Sequence, residues 1–187
     1  MKKIQAQDVI DITAVIENGW VFDSSRYHNF PKDSNSQLLY RIRHILLHQV
    51  KTLPHLDAFI TCVDEGKDKC SEFPSDAIVL AKTIMNSLRL LTILGYGENT
   101  LQADKSVRFS SLDYKKEMIR LLGLLADTCE RYDHSSRNPD VLSLHKIALE
   151  IWYQQVSLFY WEKLPWDFAK ICTLVRGIFN QQTSVFM

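Results

Sequence analysis

Apolar residues recur every three or four positions along most of the chain, and alternation with a period of two is almost absent, which is the signature of amphipathic helices rather than strands. Val9, Ile12 and Ile16 mark a first helix over about residues 7–18, with Gly19 as its stop; its β-branched content keeps a strand in view. Leu39, Ile42, Leu46 and Val50 mark a second over about 36–51. Pro54 opens a short third helix through Leu56, Phe59, Ile60 and Val63. Ser75 caps a fourth, whose Ile78, Ala81, Met85, Leu88 and Leu91 leave little polar surface; Gly95 and Gly97 end it. A helix that is apolar on most sides belongs in a core, so the segment near residues 76–94 is expected at the centre.

A fifth helix starts at Ser110 or Ser111 and turns Met118, Leu121, Leu122 and Leu125 inward. The sixth spans about 139–163, the seventh opens at Pro165 and continues to Phe179, and the tail after about 181 frays. Polar stretches at 20–36, 64–69, 98–109 and 133–139 read as connections. Four of the five prolines (Pro54, Pro74, Pro139, Pro165) fall at or just before an expected helix start, where a missing N–H costs nothing. The expectation is one all-α domain over residues 1–187, a bundle of about seven helices.

Composition supports this and narrows the function. With 187 residues and 46% apolar content the chain can bury a real core. Lys plus Arg equals Asp plus Glu at 22 each, which argues against a general nucleic-acid coat, whose affinity needs basic excess. Polar residues follow Met1 directly and no apolar run reaches membrane-spanning length, so a cytoplasmic protein without a membrane anchor is expected. Cys62, Cys70, Cys129 and Cys172 form no Cys-x-x-Cys pair and read as free thiols in a reducing compartment. No cofactor or metal is expected.

Two clusters stand out. Arg41, His44 and His48 share a ridge of the second helix opposite Leu39, Ile42 and Leu46, with Arg43 on a flank about 140° from His48. His44 and His48, four apart, have metal-ligand spacing, but no third ligand is identified; His28 and His55 are nearest in sequence. The string from Arg43 to His48 also resembles the Arg-x4–6-His signature of HEPN-domain ribonucleases, helical bundles that usually act as dimers. That resemblance implies that Arg43 and His48 act together on an RNA phosphodiester, with His44 as the polar residue after the arginine and Arg41 in support. Histidine suits proton transfer near neutral pH and arginine suits a charged phosphorane.

The second cluster is aromatic. Seven aromatics stand between Trp152 and Phe168 (Trp152, Tyr153, Phe159, Tyr160, Trp161, Trp166 and Phe168); on the sixth helix Trp152 and Phe159 share one face, Tyr153 and Tyr160 another, and Trp161 neither, more than a single core-facing stripe needs. Trp152, Tyr153, Tyr160, Trp161 and Trp166 are therefore the expected partner-binding residues, since large rings are enriched at interfaces. The reading that follows is a non-enzymatic helical interaction module of the inhibitor, immunity, antitoxin or adaptor type, binding another protein or itself as a homodimer. The alternative is a metal-independent ribonuclease using the Arg–His pair, with RNA as its partner.

Overall fold

A computed structural model describes residues 4, 6–19, 24–66, 76–96, 109–134 and 139–184. Within them lie six α-helices and no strand: α1 (Ala6–Gly19), α2 (Ser34–Asp64), α3 (Asp76–Ile93), α4 (Ser111–Asp133), α5 (Val141–Ser157) and α6 (Phe168–Ser184). Single 3-10 turns stand at Ser24–Arg26 and Leu158–Tyr160. The first segment is helical, and its Val9, Ile12 and Ile16 are buried as expected. Ser75, Pro74 and Gly97, expected at the ends of the fourth helix, lie outside the described residues.

Two corrections to the expected helices, one to their number and one to their ends, have physical causes. Pro54 does not start a helix; it sits inside the 31-residue α2. The buried series Leu39, Ile42, Ile45, Leu46, Gln49, Leu56, Phe59 and Ile60 continues through it, so both halves of α2 gain by facing one core. Each fully buried aliphatic contributes about 1.5–3 kcal/mol, enough in sum to outweigh the roughly 3 kcal/mol that an interior proline costs. Thr52 donates its hydroxyl to the carbonyls of His48 and Gln49 at 3.1 and 3.0 Å, in the turn before the proline. The α2 cap is Asp33, which accepts from the Ser36 N–H at 2.9 Å, two residues earlier than expected.

The second correction is at the far end. The helix expected to run to residue 163 stops at Ser157, tightens into the Leu158–Tyr160 turn and breaks. The next begins at Phe168, where Asp167 accepts from the Lys170 N–H at 2.8 Å, rather than at Pro165, and continues past residue 181 to Ser184. Pro139 likewise precedes the true cap, Asp140, which accepts from the Ser143 N–H at 3.0 Å. The caps at Ser110 of α4 and the stop at Gly95 of α3 are as expected. Gly95 has φ +80°; its N–H donates to Thr92 and that of Tyr96 to Leu91, a left-handed closure that glycine adopts without penalty.

The helices close a ring. α2 packs on α3 and α4, and α5 packs on the same two, which makes a four-helix bundle. α1 and α6 pair with each other and cover the outer side of α3. α3 is thus the central helix, with Leu80, Ile84, Leu88, Leu90 and Leu91 wholly buried. Across the bundle interior runs one closed polar ring. The Gln49 amide donates to Ser87 Oγ at 2.9 Å, the Ser87 hydroxyl donates to Gln155 Oε1, and the Gln155 amide returns to Gln49 Oε1 at 3.1 Å. All three side chains are buried, and α2, α3 and α5 each supply one.

Two of the cysteines are as expected and one is not. Cys129 and Cys172 are free and buried, and burial pushes their thiols up to about 11 and about 12. Cys62 is disulfide-bonded, and Cys70 lies outside the described residues. No helix of the described residues is long and apolar enough to cross a membrane.

Candidate functional site

The core stripe of α2 turns His44 and His48 outward, as the sequence implies. His44 is half-buried and His48 exposed; their Nε2 atoms are 3.1 Å apart and the rings meet edge to face at 4.7 Å. The Tyr27 hydroxyl stands 3.3 and 3.4 Å from the two ring nitrogens of His44. Tyr27 in turn packs edge-on against Tyr40, and Tyr40 against Phe30, whose ring centroid lies 5.9 Å from the Arg41 guanidinium. Arg41 is thus at the aromatic end of the ridge.

Arg43 goes elsewhere. It donates to the Cys129 carbonyl at 2.8 Å and forms an ion pair with Asp133, both on α4. The pair expected to act on one phosphate is therefore divided: Arg43 braces the α2–α4 seam while His48 faces the other flank. The cation that acts on both histidines is Arg89 of α3, which reads in the sequence only as an interruption of an apolar helix. Arg89 is 9% exposed, lies 5.7 Å from the Phe179 ring centroid, and is pulled down to about 10 by burial. Burial comes first in lowering both histidines; His48 and Arg89 lower His44 further, and Arg89 and Lys51 lower His48. Both rings are thereby held neutral more firmly than free histidine.

Neutral imidazoles are metal ligands, but two do not make a site. His55 lies on the same face of α2 about 10 Å beyond His48, too far to share an ion, and His28 is an exposed turn residue. Among the described residues no group of three His, Cys, Asp or Glu is placed to hold a metal. A cleft of about 320 Å3 opens at the start of α4 between Phe109, Asp113, Glu117 and Gln154.

The aromatic residues are placed differently from the expectation. Trp152 is wholly buried, edge-on to Phe168 at 6.5 Å, so it has no surface to offer a partner. Phe159 meets Phe168 at 4.9 Å, Trp166 stacks on Phe59 at 5.2 Å, and Trp161 lies on Phe109 at 4.9 Å. Tyr153, Tyr160, Trp161 and Trp166 are half-buried against the core. The cause is the break after Ser157: one continuous helix would spread these rings around its circumference, whereas the turn at 158–167 re-aims them inward.

Among the described residues the exposed large aliphatics lie instead on α2 and α4 and at the start of α5, where Leu142 is 82% exposed and Val141 41%. Leu47 is 68% exposed, Val50 49%, Ile119 64% and Leu112 59%. Val50, expected in the core stripe, yields that place to Gln49. Arg43 meets Cys129 and Asp133 at one end, and Lys115 meets Asp57 and Thr61 at the other, so α2 and α4 run antiparallel with Val50 level with Gly123. On a helix, Leu47, Val50 and Pro54 fall within about 40° of the Arg43 contact line, and Ile119 and Ala126 within about 40° of the Lys115 line. The two ridges adjoin on one solvent-facing side. Their sequence signal was present: Leu47, Leu112 and Ile119 are apolar residues off the core stripes of their helices.

No known protein family, no curated protein and no solved structure matches this chain.

Proposed function

We propose that this chain is a non-enzymatic helical interaction module, of the inhibitor, immunity, antitoxin or adaptor type, whose contact surface is the joined face of α2 and α4. The observation that carries the reading is the set of four large aliphatic side chains, Leu47, Val50, Leu112 and Ile119, left exposed on two adjacent helices. Exposed apolar patches rimmed by polar residues mark interaction sites. Ion pairs at both ends, Arg43 with Asp133 and Lys115 with Asp57, give the face the polar border usual for interfaces. The engagement of Arg43 by Asp133 weighs against the ribonuclease alternative, which needs that guanidinium for phosphate.

The test compares capture of partners in the producing cells by the wild-type protein and by Ile119→Glu, with Trp161→Ala as comparator. A bound protein, or a second copy of the chain, should be lost with Ile119→Glu and kept with Trp161→Ala. The opposite pattern, or binding indifferent to both, would refute the assignment of the face.

A further inference from the structure

We propose that the buried polar ring of Gln49, Ser87 and Gln155 fixes how α2, α3 and α5 are aligned along their axes, a choice that the apolar core by itself leaves open. The buried positions of α2 recur every three or four residues and are mostly aliphatic, as at Leu39, Ile42, Ile45, Leu46 and Leu56. Ile84, Leu88 and Leu91 repeat in the same way on α3, and Ile147 and Ile151 on α5. Sliding α2 by one turn, about 5.4 Å, therefore sets leucine or isoleucine against leucine or isoleucine again. Cores accept such exchanges while volume and pattern are kept, and they lose uniqueness before they lose stability. Apolar burial here is abundant but poorly selective. Phe59, stacked on Trp166, is the one large aromatic side chain in the buried series of α2.

The polar ring is selective because its hydrogen bonds close in one alignment. Gln49 donates to Ser87 Oγ at 2.9 Å, Ser87 to Gln155 Oε1, and Gln155 to Gln49 Oε1 at 3.1 Å, so each member both gives and receives. Their exposures are 2%, 0% and 0%, so no solvent stands in for a lost partner. One turn either side of Gln155 stand Ile151 and Phe159, and one turn either side of Ser87 stand Ile84 and Leu91, all buried. Thr83 also lies one turn from Ser87, but its hydroxyl is engaged by the Val79 carbonyl at 2.9 Å. A slip of α2 in either direction leaves the amides of Gln49 and Gln155 facing apolar side chains. Each such orphaned group disfavours a state by roughly ten- to a hundredfold, so two hold the slipped alignments at or below roughly one per cent of molecules. Buried polar groups that pair in a single alignment select it in this way. The ion pairs of α2 with α4, Arg43 with Asp133 and Asp57 with Lys115, follow the same alignment but are partly exposed, and such pairs select weakly.

Amide NMR spectra combined with hydrogen exchange test this. Wild type should give one set of backbone signals, and the side-chain amides of Gln49 and Gln155 should exchange only with global unfolding. Side-chain amides that exchange freely in the folded protein overturn the proposal without any variant. Gln49→Leu/Ser87→Ala/Gln155→Leu removes the polar ring and orphans nothing. It should stay helical and unfold cooperatively, yet show a second set of α2 signals, or exchange-broadened ones. Its α2 amides should be protected roughly tenfold less than in wild type, because sliding opens them without global unfolding. Phe59→Leu keeps the polar ring and removes the aromatic side chain; it should melt earlier but retain one set of signals. A triple variant with one sharp set and wild-type protection shows that apolar shape is sufficient and overturns the assignment. Splitting in Phe59→Leu instead transfers the role to the Phe59–Trp166 stack. A triple variant that does not fold also refutes it, since the apolar core is then not what supplies the stability.

Discussion

Replacing Gln155 by leucine should cost this protein far more than its size suggests, and removing the whole polar ring should cost far less. Leucine nearly matches glutamine in volume, so packing changes little. The loss is in what it leaves behind: Gln49 Oε1, buried, without its donor, while the Ser87 hydroxyl keeps the Thr83 carbonyl at 3.3 Å as an acceptor. A buried polar group deprived of its partner costs about 1–3 kcal/mol, so the expected loss is roughly 2 kcal/mol. For a domain of this size that is a fall of roughly 4–8 °C in Tm, at 2–4 °C per kcal/mol. The triple variant Gln49→Leu/Ser87→Ala/Gln155→Leu leaves no orphaned group and should lie within about 1 kcal/mol of wild type. Urea unfolding followed at 222 nm, at one fixed low protein concentration because association would couple to stability, reads both values. A cost below about 1 kcal/mol for Gln155→Leu, or a triple variant that loses the sum of its parts, would refute the closed ring as the reason these groups are tolerated in the core.

Three further outcomes are expected. Denatured without reductant, the protein should titrate fewer than four thiols, with Cys129 and Cys172 reactive and Cys62 blocked, and four after reduction; four from the outset would contradict the Cys62 disulfide and favour a reducing compartment. His44 and His48 are held below the ordinary value of 6.5, so the unfolded chain binds more protons than the folded one beneath that pH. Their contribution is therefore full above about pH 6.5 and lost on acidification below it, and a His44→Gln/His48→Gln variant should show a flatter fall of Tm between about pH 7 and 5; an unchanged slope would rule the pair out as its source. RNA incubated with the protein and a chelator should remain intact, because Arg43 is engaged by Asp133; metal-independent cleavage that disappears in His48→Ala would instead restore the ribonuclease reading.

Most of the helical content was legible in the sequence because it depends on local terms. Ser110 and Gly95 act through hydrogen bonds within a turn of themselves, and the all-round apolar pattern of α3 leaves only the centre of a bundle as its place. The outward direction of His44 and His48 followed from the same periodicity. What needed the tertiary structure was every outcome set by a sum over distant contacts. Pro54 reads as a start, yet it is carried inside α2 because burial on both sides of it exceeds its local penalty. Arg43 lies in the same helix as His48, but Asp133, ninety positions away, decides where its charge is spent. The rings from Trp152 to Phe168 look like an interface along one helix and become core once the chain turns after Ser157. Gln49, Ser87 and Gln155 look like unrelated polar residues, and only the packing of three helices closes them into a ring. Periodicity determines which side of a helix is apolar; only the assembled bundle decides which apolar side stays exposed.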